Sequence, residues 1–165
     1  MKSLSMPPSA ASLALSALVL AGCASAPGST GSAVSATQAC APVSEQQVAA
    51  LFDRWNASLA TGNPHKVAEN YAAQSILLPT VSNKPRLTVA EKEDYFEHFL
   101  ENGPSGKIDQ RFIRLGCNTA LDAGLYTFTF AKNGAVVKAR YSYTYEYLGG
   151  KWLITSHHSS AMPEK

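Results

Sequence analysis

Charge is scarce in this chain. Asp, Glu, Lys and Arg make up 16% of its 165 residues, the net charge is +2, and Lys and Arg form no run. Non-specific nucleic-acid binding depends on basic side chains that displace counterions, so no nucleic-acid partner is expected. Nucleotide signatures are missing as well. There is no G-x-x-x-x-G-K-[ST], no G-x-G-x-x-G, no kinase signature set and no G-x-S-x-G. No cofactor is therefore expected, and the chain is not itself a kinase. His157 and His158 are adjacent. On a strand they point to opposite faces, and no other His, Cys or Asp pattern has ligand spacing, so no metal site is expected. Cysteine is limited to three residues.

What is present begins with a leader. Lys2 precedes a small, apolar stretch from Ala10 to Ala21, too short for a stable transmembrane helix. The stretch ends in Leu20-Ala21-Gly22-Cys23, which resembles a bacterial lipobox. That resemblance implies an exported lipoprotein with a signal peptide over 1–22 and lipidation at Cys23. Bacterial lipoproteins carry more than one acyl chain, enough for stable anchoring, so the membrane is met through the anchor only. Ala24, not Asp, follows the cysteine; resemblance to known sorting patterns implies a protein of the cell envelope, expected on the outer membrane facing the periplasm. Residues 23–40 are rich in Ala, Ser, Gly and Thr and read as a flexible tether to a domain over 41–165. Lipidation of Cys23 leaves Cys40 and Cys117 in an oxidising compartment. They form either a disulfide, worth about 4 kcal/mol in the chain-entropy model, or two free, buried thiols.

The domain opens with Ser44-Glu45-Gln46-Gln47, a capping box, followed by Val48, Leu51, Phe52, Trp55 and Leu59 at helical spacing. Asn63-Pro64 starts a short helix expected to carry Val67 and Tyr71 inward. Ser75 to Leu78 reads as a short strand. Thr88-Val89-Ala90-Glu91 is a second capping box, leading a helix with Tyr95, Phe96, Phe99 and Leu100 that breaks at Gly103-Pro104. Four strands follow, over 108–115, 120–130, 136–147 and 152–158, with turns at Asn133-Gly134 and Gly149-Gly150. Helices first and then an antiparallel meander make an α+β fold with a curved sheet around helices.

Tyr141, Tyr143, Tyr145 and Tyr147 alternate strictly and share one strand face. Tyr126 and Phe128 can share it from the neighbouring strand. In the last strand Thr155, His157 and Ser159 form one alternating set, with Trp152, Ile154, Ser156 and His158 opposite. A curved sheet closed by helices leaves a hollow, and aromatic walls with a few polar groups suit a small organic ligand. The pocket candidates are Trp55, Tyr71, Tyr95, Tyr126, Tyr143, His157 and Ser159. The same tyrosines serve equally as core. If the pocket is catalytic, His157, Tyr143 and Tyr126 are the candidates for proton transfer to or from a carbonyl compound. Arg140 is expected to pair with Glu146 or Asp122, and Asp53 and Arg54 could stand at the cavity mouth.

Several separated segments share one resemblance. Residues 150–163, Gly-Lys-Trp-Leu-Ile-Thr-Ser-His-His-Ser-Ser-Ala-Met-Pro, resemble the closing strand of the calcium/calmodulin-dependent protein kinase II association domain. Tyr95-Phe96-Glu97-His98 resembles that family's Tyr-Phe-Glu helix motif. Leu51-Phe52-Asp53-Arg54-Trp55 with Gly62-Asn63 resembles its bacterial branch. The resemblance implies a nuclear transport factor 2-like cone, a strongly bent antiparallel sheet around a long N-terminal helix with two further helices. It also implies a homo-oligomer, a dimer being the simplest. Family members that bind small carboxylates use an arginine-rich pocket, whereas the positions aligned with three of those arginines hold Tyr126, Tyr143 and Ser159. The functional expectation is a lipid-anchored oligomerisation and small-molecule-binding domain without a kinase domain. Its alternative is a SnoaL-like or SgcJ/EcaC-type enzyme, an isomerase, cyclase or oxidoreductase.

Overall fold

The computed structural model describes residues 39–163. The expected leader, Cys23 as the expected lipidation site and nearly all of the expected tether lie outside the described residues.

Three helices precede most of the sheet. Helix α1 is Glu45–Leu59, α2 is Pro64–Ala68 and α3 is Val89–Leu100; the strands are β1 Tyr71–Leu78, β2 Pro104–Gly116, β3 Thr119–Phe130, β4 Val136–Leu148 and β5 Lys151–Ala161. Both capping boxes form. Ser44 accepts from the backbone of Gln47 and Thr88 from that of Glu91, and each third-position side chain reaches back to the cap. Asn63 caps α2, accepting from the amides of His65 and Lys66, with Pro64 at its first position.

The five strands run in the order β1-β5-β4-β3-β2. Strands β2 to β5 are the expected antiparallel meander. The first strand departs from it in two ways. Tyr71 opens β1 instead of extending α2, and β1 pairs with β5 in parallel, placing Leu77 beside His157. Nothing local in 71–78 encodes a parallel partner more than 70 residues away.

Two bulges bend the antiparallel part of the sheet. In β5, Thr144 pairs with Ser156 and Tyr145 with Ile154, so Thr155 is the extra residue. The expected alternation along β5 is therefore broken. Ile154 and His157, three apart, are both buried on the inner face, and Ser159 follows His157 inward. In β2, Asp109 is extra between Ile108 and Gln110. Next to the bulge Gly124 pairs with Arg111, and a Cβ on it would come within 2.0 Å of the Gln110 carbonyl oxygen. A side chain there would collide with backbone, so the bend needs glycine.

The concave face closes on α1. Val48, Phe52, Trp55 and Leu59 form the buried stripe of that helix and join Phe96, Phe128, Tyr141, Tyr143, Tyr145 and Ile154 in one core. Tyr147, fourth in the alternating series, is 38% exposed beyond the end of that core. Cys40 and Cys117 are joined as a disulfide with Cα atoms 4.8 Å apart. Asn118 reinforces the bridge by accepting from the Ala41 amide at 2.7 Å and donating to the Ala39 carbonyl at 3.2 Å.

Candidate functional site

A cavity of about 80 Å³ lies between α3, the loop after β1 and the inner face of the sheet. Its lining includes Trp55, Tyr95, Tyr126, His157 and Ser159 from the expected set. Leu77, Thr80, Val81, Phe96, Phe99, Phe128, Phe130 and Val137 supply much of the rest, and no charged residue takes part. Tyr71 and Tyr143, expected at the wall, stand behind it and hold His157 from the rear.

The polar part of the lining is a chain of hydroxyls. Tyr126 donates its phenol proton to Ser159 Oγ at 2.5 Å. Ser159 Oγ also meets Thr80 Oγ1 in a very short contact. Tyr126 and Ser159 are buried and Thr80 is half-exposed, so the chain runs from the core to the cavity margin. Three hydroxyls carry three protons, and two are used inside the chain. One O–H is left to donate to a guest.

His157 forms the second polar element. It is 4% exposed. Its Nδ1 lies 2.8 Å from the Tyr71 hydroxyl, whose oxygen accepts from the Trp55 indole N–H at 3.1 Å. Its Nε2 is buried and has no protein partner. The ring stacks on Tyr143 at 4.1 Å between centroids and meets the edge of Trp55 at 5.5 Å. Burial, helped slightly by His158, lowers the imidazole pKa to about 3, so the ring is neutral near pH 7. Burial raises the Tyr126 phenol, like those of Tyr71 and Tyr143, well above the usual phenol range. These phenols stay protonated, and Tyr126 is the donor to Ser159.

A second polar cluster lies elsewhere in the core. Asp122 accepts from Tyr141 at 2.8 Å and from Arg111 Nε at 3.3 Å. Arg111 also lies over the ring of Phe52 at 5.8 Å. Burial pushes the Asp122 carboxyl up, against the pull of Tyr141 and Arg111. Arg111 is thus the partner of Asp122, not Arg140, which donates to the Ala161 carbonyl at 3.4 Å. Arg54 does not stand at the cavity. It bonds Asn70 at 3.0 Å and the Trp152 carbonyl at 2.8 Å.

Thr80 was hidden from sequence reasoning because it belongs to a loop. The signal would have been the parallel pairing of β1 with β5, which delivers the Pro79-Thr80 step beside the His157–Ser159 segment. Among the described residues, no group of three or more His, Cys, Asp or Glu could hold a metal.

A bent sheet wrapped on a helix, with a small aromatic hollow at one end, defines a nuclear transport factor 2-like cone. Residues 44–163 match the calcium/calmodulin dependent protein kinase II association domain, and the chain belongs to that family. Among similar solved structures, one from Xanthomonas campestris, described as such an association domain, is 53% identical, covers 77% of this chain and 96% of its own, and has a TM-score of 0.72. The iota-carbonic anhydrase of a cyanobacterium, solved with bicarbonate, is 20% identical, covers 74% and 94%, and has a TM-score of 0.66. An NTF2-like protein from Streptomyces avermitilis is 10% identical over 72% and 96%, with a TM-score of 0.65. At these lower identities the likeness is one of fold. No curated protein matches the chain.

Proposed function

We propose that the cavity takes carbon dioxide and bicarbonate and interconverts them. The observation that carries this reading is the pairing of neutral donors with a very small apolar hollow. The spare hydroxyl proton of the Tyr126–Ser159–Thr80 chain and the unpartnered Nε2 of His157 belong to one lining. A hollow of about 80 Å³ suits a guest of a few heavy atoms and is small beside drug-sized pockets. Its aromatic and aliphatic walls accept apolar carbon dioxide. Its donors suit the oxygens that become negative when bicarbonate forms. The bicarbonate complex of the cyanobacterial carbonic anhydrase has the same fold, which supports the choice of guest.

In the hydration direction a water oxygen attacks the carbon and one C–O bond forms. A C=O π pair moves to the oxygen that the donors hold. The attacking water loses one proton to solvent water or buffer at the cavity margin, beside half-exposed Thr80. No Arg or Lys lines the hollow among the described residues, so bicarbonate is held weakly and released. The test is proton release on mixing the purified protein with dissolved carbon dioxide. A rate no faster than buffer alone refutes the reaction.

A second reading is a binding module that holds a small carboxylate without turnover. The lack of a charged base in the lining favours it. Saturable carboxylate binding without hydration activity would select it.

Around either chemistry we place an exported protein, lipidated at Cys23 and held at the envelope, on the outer membrane facing the periplasm. Its leader and tether sequence support that placement. We also assign it a homo-oligomeric state, a dimer at least, on the strength of its association-domain family. Light scattering of the soluble domain tests the assembly, and labelling with a radioactive fatty acid tests the anchor.

A further inference from the structure

We infer that Tyr71 is a positioning residue that fixes the tautomer of His157, so that the imidazole meets its guest as an N–H donor at Nε2 and not as a base.

The proton count along this line fixes the tautomer. An indole nitrogen can only donate, and that of Trp55 donates to the Tyr71 oxygen. Tyr71's own proton then has Nδ1 of His157 as its acceptor, at 2.8 Å. A neutral imidazole carries one hydrogen on its two nitrogens. With Nδ1 accepting, that hydrogen sits on Nε2. In the reverse arrangement Nδ1–H would donate to Tyr71, leaving both the buried phenol proton and the Nε2 lone pair unpaired, against the one unpaired Nε2–H of the first. The ring cannot easily turn to escape the choice. Tyr143 covers one face at 4.1 Å and the edge of Trp55 closes in at 5.5 Å.

The surroundings keep the ring neutral. Tyr71 from β1, Trp55 from α1 and Tyr143 from β4 touch it, and none is charged. His158 is the next residue and is exposed on the outer face. Without a nearby carboxylate, nothing stabilises an imidazolium.

The consequence deepens the proposed function and rests on it only for the identity of the guest. An N–H at Nε2 selects a guest oxygen that carries a lone pair, such as one of bicarbonate. It denies His157 the role of accepting the water's proton through that atom. That task falls to solvent at the cavity margin.

The test is a two-bond nitrogen–proton correlation spectrum of the free protein with nitrogen-15 histidine. The expected pattern for His157 is a protonated Nε2 and a bare Nδ1. A protonated Nδ1 overturns the inference. In Tyr71→Phe the preference should vanish, and the affinity for bicarbonate, followed by carbon-13 line broadening, should fall about tenfold, the cost of one misplaced hydrogen bond. A variant that keeps a pure Nε2–H tautomer overturns the role of Tyr71. If Tyr71→Phe does not fold, the scalar coupling between the Tyr71 hydroxyl proton and Nδ1 in the unaltered protein decides the point: present, it supports the assignment; absent, it overturns it. A protein with the expected tautomer but no hydration activity would refute the reaction and leave the tautomer standing.

Discussion

The phenol of Tyr126 donates to Oγ of Ser159 across 2.5 Å, although the two residues lie on β3 and β5 with β4 between them. The curvature of the sheet brings them together, and Thr80 completes the row from the loop after β1. Replacing Ser159 with Ala removes the middle of this row. Tyr126 is then left buried without an acceptor, which costs about 1–3 kcal/mol of stability. Hydration activity should fall at least about tenfold, since losing one donor to the oxygen that becomes negative costs that much or more. Chemical denaturation and a rate assay on the same preparation check both effects.

His157 makes stability depend on pH. Its pKa falls from 6.5 in the unfolded chain to about 3 in the fold, so the unfolded chain binds the extra proton between those values. Stability from this group is full above about pH 6.5 and is lost as pH falls toward about 3, at about 1.4 kcal/mol per pH unit. Replacing His157 with Gln should flatten the urea midpoint across that window. An equally steep acid limb in the variant would show that other groups govern it.

The disulfide should matter more than its peripheral position suggests. Cys40 and Cys117 lie 77 residues apart in sequence and tie the entry of α1 to the β2–β3 turn. Replacing both with Ser should lower stability by about 4 kcal/mol in the chain-entropy account. Urea unfolding with and without reductant measures it. The double variant should be insensitive to reductant.

Asp122 and Arg111 behave as a unit. Asp122 is fully buried, while Arg111 keeps part of its side chain in solvent. Removing the guanidinium by Arg111→Met strands a buried carboxylate and should cost about 3 kcal/mol, the lower end for a broken buried pair because solvent still reaches Arg111. Adding Asp122→Asn to that variant should return much of the loss. Additive losses in the double-mutant cycle would mean the pair is not coupled.

Much of this architecture could be read from local chemistry. Ser44 and Thr88 announce their helices because a capping box is complete within four residues. Tyr141, Tyr143 and Tyr145 announce a buried face because strand alternation has a period of two. What escaped reading is set by distant partners. The parallel pairing of β1 with β5 placed Thr80 at the cavity. The bulge at Thr155 turned Ile154 inward along with His157. The line from Trp55 through Tyr71 to His157 joins residues from a helix and two strands, and no spacing rule links them. His157 and Ser159 could be singled out by residue type, but their roles came only with their neighbours.

The most direct measurement is oxygen-18 exchange between labelled bicarbonate and water, followed by mass spectrometry with the unaltered protein and with Ser159→Ala. Depletion of the label well above the uncatalysed rate, lost in the variant, is the predicted result. Depletion at the background rate by the unaltered protein, or equal acceleration by both, would contradict it.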